Sequence, residues 1–111
     1  MSDERSRRVG LNEAIFRQVN EQIRDLNHDF GADEGTITVI CECGDAECTE
    51  RLELPVSKYE SVRSDSLLYV IAKGHEIPDV EDVVERGSGY DLVEKRDGVA
   101  AQVAEETDPR S

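Results

Sequence analysis

Three cysteines dominate the chemistry that this sequence offers. All of them fall within eight residues, at Cys41, Cys43 and Cys48 of the run C-E-C-G-D-A-E-C. Thiolate sulfurs bind zinc at about 2.3 Å, and a short turn that carries several of them is typical of a structural zinc site. The spacing C-x-C-x4-C is less specific than two C-x2-C motifs. It still predicts a metal-binding knuckle.

A tetrahedral site needs a fourth ligand, and His75 is the leading candidate. It lies in a Gly-His-Glu turn, at the end of a segment expected to form a central strand. His28 is the alternative histidine, but it falls off the apolar stripe of the first helix and is most simply a solvated residue. Asp45 or Glu47 could supply an oxygen ligand instead. We expect zinc as the cofactor, with the ligands Cys41, Cys43, Cys48 and His75.

The same three cysteines allow two other interpretations. They could be free thiols, buried or reactive, or Cys48 could form a redox pair with Cys41 or Cys43. Their odd number argues against a framework of disulfides in a chain expected to be cytoplasmic.

The sequence does not favour a catalytic metal. Glu76, next to His75, could be cast as a general base, but three thiolates make zinc a poor Lewis acid. A simpler role for Glu76 is that of a surface carboxylate or a hydrogen-bond acceptor for His75. The chain has no phosphate-binding loop, no G-x-S-x-G and no H-E-x-x-H motif. We therefore expect that the protein is not an enzyme.

Two alternating segments position the cysteines. Residues 36–43 and 48–54 read as strands of a β-hairpin joined by four turn residues. The alternation places Cys41 and Cys43 on one face of the first strand, and Glu42 on the opposite face. Cys48 returns opposite them, so the three thiols are expected to converge at the tip of the hairpin.

An amphipathic helix is predicted to precede this hairpin. Apolar residues recur at spacings of three and four from residue 16 to residue 30, and Gly31 provides a stop. The helix could lie across a sheet or could pair with a partner molecule through this stripe. The stripe consists of Phe16, Val19, Ile23, Leu26 and Phe30.

The remaining elements complete an α+β fold with a small antiparallel sheet. We expect a short helix over residues 56–63, a central strand over 67–73 and a final helix over 98–106. Residues 79–86 fit either a helix or a hairpin strand that pairs with residues 90–95, and the hairpin is favoured. The predicted organisation is a flexible arm (1–10), one domain (11–106) and a tail (107–111).

Charge is distributed unevenly along the 111 residues, whose net charge is −13. Residues 1–28 carry five acidic and five basic side chains, whereas residues 29–60 carry nine and two, and residues 76–111 carry eleven and four. An acidic protein is not expected to bind nucleic acid directly, because phosphate backbones would repel it. No apolar run approaches the roughly 20 residues that cross a bilayer, and the N-terminal residues lack a secretory signal. We expect a cytoplasmic protein without membrane contact.

The chain resembles a group of small uncharacterised actinobacterial proteins over about residues 11–110. The resemblance rests on the C-E-C-x4-C knuckle from Cys41 to Cys48, on the later G-H-E turn at His75, and on the segments F-R-Q-V-N-E, V-E-K and E-T-D-P-R. It implies a metal site built from Cys41, Cys43, Cys48 and His75. It implies no activity.

Taken together, these features predict a small non-enzymatic regulatory or adaptor protein that zinc stabilises. Its partner would be another protein with a basic surface, bound through the acidic body or the N-terminal helix. One alternative is a redox sensor whose knuckle melts when metal is lost or thiols are oxidised. Another is an acidic mimic of nucleic acid. The oligomeric state is left open.

Overall fold

The structure, a computed structural model, describes residues 1–110 and has an α+β fold, as predicted. These residues form three helices and five strands. None of the helices combines the length and the apolar character that a membrane span requires. Ser111, the last residue of the predicted tail, lies outside the described residues. The elements are α1 (Asp3–Asp29), β1 (Thr36–Ile40), β2 (Arg51–Pro55), α2 (Val56–Arg63), β3 (Leu68–Ile71), β4 (Glu81–Arg86), β5 (Asp91–Lys95) and α3 (Val99–Glu106).

The strands form two antiparallel sheets. β1 pairs with β2 in the predicted hairpin, with Val39 opposite Leu52. β4 pairs with β5, which confirms the hairpin favoured for residues 79–86. The order of the second sheet is β3-β5-β4, so β5 is its central strand and the prediction that β3 is central was wrong. β3 is nevertheless almost fully buried, because other parts of the chain cover its free edge.

α1 begins much earlier than the sequence predicted. Ser2 caps it by accepting a hydrogen bond from the backbone N–H of Arg5, and acidic Asp3 and Glu4 occupy the first turn. Carboxylates at this end interact favourably with the helix dipole. Residues 3–10, assigned to a flexible arm, therefore continue the helix.

The face that α1 turns inward is mainly polar, so the alternative in which the apolar stripe lies across a sheet was wrong. Of the predicted apolar stripe, Ile23 packs on the core, whereas Val19, Leu26 and Phe30 are exposed. The apolar spacing was real, but it did not show which face would meet the rest of the protein. The buried residues of α1 are Ser6, Val9, Gly10, Glu13, Arg17, Asn20 and Glu21.

Arg17 shows how a polar helix face is accommodated. Its guanidinium donates to the backbone carbonyls of Ser66 and Ala104 at 2.8 Å each, and lies 4.8 Å from the ring centre of Tyr69. Specific acceptors and an aromatic face thus compensate for the loss of water around the charge.

Gly10, nearer the start of α1, lets α3 approach closely. A Cβ at this position would lie 3.0 Å from the Cβ of Val103.

A second buried charge cluster joins α1 to the three-stranded sheet. The ammonium of Lys95, on β5, contacts the carboxylates of Glu13 and Glu81, and all three side chains are fully buried. Two carboxylates share one cation in a dry environment. Burial raises the pKa of Glu13 to about 8, against the attraction of Lys95 and with a further contribution from the charge of Glu81.

The raised pKa of Glu13 predicts that stability falls as pH rises. Between pH 4.5 and about 8, folded Glu13 keeps a proton that unfolded Glu13 has lost, so the folded state binds more protons. The free energy of unfolding should decrease across this window, by at most about 1.4 kcal/mol per pH unit. Glu13→Gln should remove this part of the pH dependence. Urea unfolding of both proteins at several pH values measures the difference.

Glu105→Gln, at an exposed position of α3, provides the matched control and should leave the pH dependence unchanged. Parallel pH profiles for the wild type and Glu13→Gln would show that Glu13 is ionised in the folded protein.

Candidate metal centre

The cysteines lie in the connection between β1 and β2, which is longer than the predicted four-residue turn. The paired strands end at Ile40 and resume at Arg51, and the backbone N–H of Cys41 still donates to Glu50 O at 2.9 Å. Within this connection Cys48 N donates to Asp45 O at 3.1 Å, which forms the tight turn at the tip. Cys41 and Cys43 are buried and Cys48 is partly exposed.

The structure brings together the four residues that the sequence selected. One potential ligand atom from each of Cys41, Cys43, Cys48 and His75 lies within 4.8 Å of the others. The Nδ1 atom of His75 is 3.7 Å from Cys41 Sγ and 3.6 Å from Cys48 Sγ. A tetrahedral zinc with sulfur at 2.3 Å and nitrogen at 2.0–2.1 Å requires a sulfur–nitrogen separation of about 3.6 Å. The cluster can therefore hold a metal ion through Nδ1 of the histidine.

A turn after β3 carries His75 to the cysteines. The backbone N–H of His75 donates to Ala72 O at 3.0 Å, and Gly74 adopts a left-handed φ of +83°. The buried carboxylate of Asp91 accepts from the N–H of Gly74 at 3.4 Å and from Lys73 Nζ at 3.0 Å. The turn is thus attached to the central strand β5.

The other candidate ligands lie elsewhere or have other contacts. His28 is exposed and its Nδ1 lies 2.7 Å from Asp33 Oδ1; this hydrogen bond raises the pKa of His28. Asp45 Oδ1 accepts from the backbone N–H of Glu47 at 2.9 Å, and both side chains are exposed. None of the three belongs to the four-residue cluster.

Glu42 is the residue beside the cluster whose role the sequence did not predict. Alternation placed it on the face opposite Cys41 and Cys43, and its side chain is fully buried. Its carboxylate accepts from both terminal nitrogens of Arg63, at 2.6 and 3.0 Å, and from Asn20 Nδ2 at 2.7 Å. It also accepts from the backbone N–H of Val70 at 3.1 Å. The alternation correctly predicted that the Glu42 side chain points away from the side chains of Cys41 and Cys43. Nothing in the sequence showed that α2 would cover the side to which Glu42 points.

The knuckle also completes the free edge of β3. The backbone N–H of Glu42 donates to Val70 O at 2.9 Å, and the N–H of Ala72 donates to Cys41 Sγ at 3.1 Å. Backbone donors of this kind favour the charged thiolate over the thiol. Cys41 is therefore both a potential ligand and a hydrogen-bond acceptor for the strand that leads to His75.

The three thiols share protons unequally. The hydrogen bond from Cys41, helped by His75 and the backbone N–H of Asp45, lowers the pKa of Cys43 to about 5 against the effect of burial. The pKa of Cys41 is raised by the hydrogen bond between its thiol and Cys43 and by burial. Burial raises the pKa of Cys48, against the backbone N–H of Glu50. A metal ion would displace the remaining protons, because only deprotonated sulfurs act as ligands.

Two asparagines of α1 also hydrogen-bond to the knuckle and to the end of β1. Asn12 Nδ2 donates to Gly44 O at 3.0 Å, and Asn20 both donates to Ile40 O and accepts from Ile40 N, at 2.9 Å each. Gly44 is packed so closely that a Cβ would lie 2.7 Å from Val9 and 2.9 Å from Ile77. A side chain at residue 44 would therefore force Val9 and Ile77 to shift.

Comparisons with known proteins identify no relative. No protein-family model matches the chain, and neither a curated protein nor a solved structure is significantly similar to it. The resemblance to actinobacterial proteins stays a prediction, and the geometry of the cluster is the observation that bears on function.

The contacts of Glu42 predict that Arg63→Met destabilises the fold and the metal centre together. The change leaves a fully buried carboxylate without its cation, so we expect a loss of about 3 to 5 kcal/mol of unfolding free energy. Metal affinity should fall as well, because Glu42 connects Cys41 and Cys43. Urea unfolding at a fixed free zinc concentration and a competitive zinc titration measure the two effects.

Lys58→Met on the same helix is the matched control. It removes a partly exposed ion pair with Glu85 and should cost no more than about 1 kcal/mol. Equal losses in the two variants would contradict the importance of the Glu42–Arg63 pair.

Proposed function

We propose that the protein is a non-enzymatic, zinc-stabilised regulatory or adaptor protein that acts in the cytoplasm. The observation that carries this proposal is the convergence of Cys41, Cys43, Cys48 and His75, whose potential ligand atoms lie within 4.8 Å of one another. All three cysteines are free, as expected of a protein kept in a reducing compartment.

The donor set favours zinc over other common divalent ions. Three sulfurs and one imidazole nitrogen are soft or borderline ligands, whereas magnesium and calcium prefer oxygen. The separations of 3.7 and 3.6 Å from the histidine nitrogen to two sulfurs suit a tetrahedral ion. With three thiolates and a neutral imidazole, the occupied centre would carry a net charge of −1.

A structural role for zinc is favoured over a catalytic role. Four protein ligands complete the tetrahedron, while catalytic zinc usually keeps a position for water or substrate. Cys41 and Cys43 are buried, and the cluster joins the β1–β2 connection to the end of β3. Such a site stabilises tertiary structure directly, because the metal binds only where folding has brought its ligands together.

The distribution of charge supports binding to a basic protein partner. Eight of the nine cationic side chains from Arg24 onward form ion pairs with Asp or Glu, and the cations of Lys95 and Arg63 are themselves buried. In contrast, Asp45 and Glu47 on the knuckle and Glu50 just after it are exposed and form no ion pair among residues 1–110. The acidic surface of the knuckle is therefore open to a partner.

Native mass spectrometry of protein from unsupplemented culture tests the metal. We expect one zinc per chain in the wild type and in His28→Ala, and a clear loss of zinc in His75→Ala. His28 is the matched control because it lies outside the cluster. A chelator should also lower the thermal unfolding midpoint of the wild type.

Two results would contradict structural zinc. One is a wild type that arrives folded, metal-free and with three titratable thiols. The other is rapid alkylation of the cysteines before any chelator is added, with zinc released by mild oxidant, which would favour the redox-sensor alternative.

Neutralising the acidic knuckle tests the partner. A variant with Asp45→Asn, Glu47→Gln and Glu50→Gln should retain zinc. A bound basic protein should dissociate from this variant at a lower salt concentration than from the wild type. A variant with Asp97→Asn, Glu105→Gln and Glu106→Gln, all exposed on α3 or just before it, removes the same number of charges and controls for net charge. If the knuckle variant and the control retain the partner equally, the partner does not bind the knuckle.

A further inference from the structure

α1 presents an apolar face to solvent along most of its length. Five apolar side chains on this face are exposed by 36 to 85% of their surface, with Phe30 the most exposed. They recur at spacings of four and seven, which is the pattern of one helix face. We call this face the outer stripe; it consists of Leu11, Ile15, Val19, Leu26 and Phe30.

The charges nearest to the two ends of the outer stripe are of opposite sign. Arg5, Arg7 and Arg8 lie just before its N-terminal end, with Asp3 and Glu4 further out, and Asp25 and Asp29 lie near its C-terminal end. The side chains of the three arginines and two aspartates are exposed, and none forms an ion pair within the described residues. Elsewhere in residues 1–110 most cationic side chains have an anionic partner, so the unpaired arginines distinguish α1.

We propose that the outer stripe is a dimer interface on which α1 of a second copy packs antiparallel. Antiparallel packing brings the basic end of each helix beside the acidic end of the other. A twofold axis between Gln18 and Val19 sets Leu11 opposite Leu26 of the second copy, and Arg8 opposite Asp29. Each contact then occurs twice, as an isologous interface requires.

The low net charge of α1 allows a copy of an acidic protein to approach here. Residues 1–28 carry five acidic and five basic side chains and Asp29 adds one negative charge, so α1 has a net charge of −1, although the whole chain carries −13. α1 has 27 residues and is therefore about 40 Å long, which allows contact over several turns. Antiparallel helices also place opposite ends of their dipoles together.

Sedimentation equilibrium of the zinc-loaded protein over a wide concentration range tests this interface. The wild type should dimerise, and Leu26→Lys should raise the dissociation constant at least about tenfold, because a charge would replace a buried anchor. Val84→Lys on β4 is the matched control, since Val84 is 51% exposed and lies outside α1. It should leave the dissociation constant unchanged.

Charge reversal tests the antiparallel arrangement itself. Arg8→Glu should weaken the dimer, and the double variant Arg8→Glu with Asp29→Arg should restore it, because each pair regains opposite charges. Zinc content and circular dichroism check that every variant is folded. A monomeric wild type, a dimer insensitive to Leu26→Lys, or a double variant no stronger than Arg8→Glu would each overturn the proposal.

Discussion

The buried ion pair between Glu42 and Arg63 joins the knuckle to three other parts of the fold. Glu42 comes from the knuckle and Arg63 from the end of α2, while Asn20 of α1 and Val70 of β3 donate to the same carboxylate. Two opposite charges removed from water are tolerable only when their hydrogen bonds are nearly complete, and the carboxylate here receives four. The contact therefore requires four separate parts of the chain to be in place at once.

This requirement has a direct effect on the metal centre. Glu42 lies between Cys41 and Cys43, and successive side chains of an extended chain point to opposite faces. Fixing the Glu42 side chain on one face therefore directs both sulfurs to the opposite face. β3, which the pair also contacts, ends at Ile71, and the turn that carries His75 begins at the next residue. An interaction outside the centre thus determines where three of its four potential ligands lie.

Local patterns predicted most of the elements and all four members of the cluster. The cysteine density and the alternating runs were sufficient for the knuckle and its hairpin, because these depend on neighbouring residues. His75 was selected by its residue type and its glycine-containing turn, and only the fold brings it to Cys48 across 27 residues. The orientation of α1 could not be predicted in the same way. Its inward face is built from Glu13, Arg17 and Asn20, whose acceptors and donors come from residues distant in sequence. The burial of Glu42 was missed for the same reason, since only the assembled fold brings Arg63 to it.

The position of His75 also determines how the stability of the fold depends on free zinc. Cys48 and His75 are 27 residues apart, and the segment between them contains β2, α2 and β3. A disulfide between such residues would restrict the unfolded chain, but a metal that only the folded chain holds does not. It stabilises the folded state by mass action instead, so its contribution to the free energy of unfolding would rise with the logarithm of the free metal concentration. This dependence matters most in a chain whose aromatic residues are few and whose tryptophan content is zero.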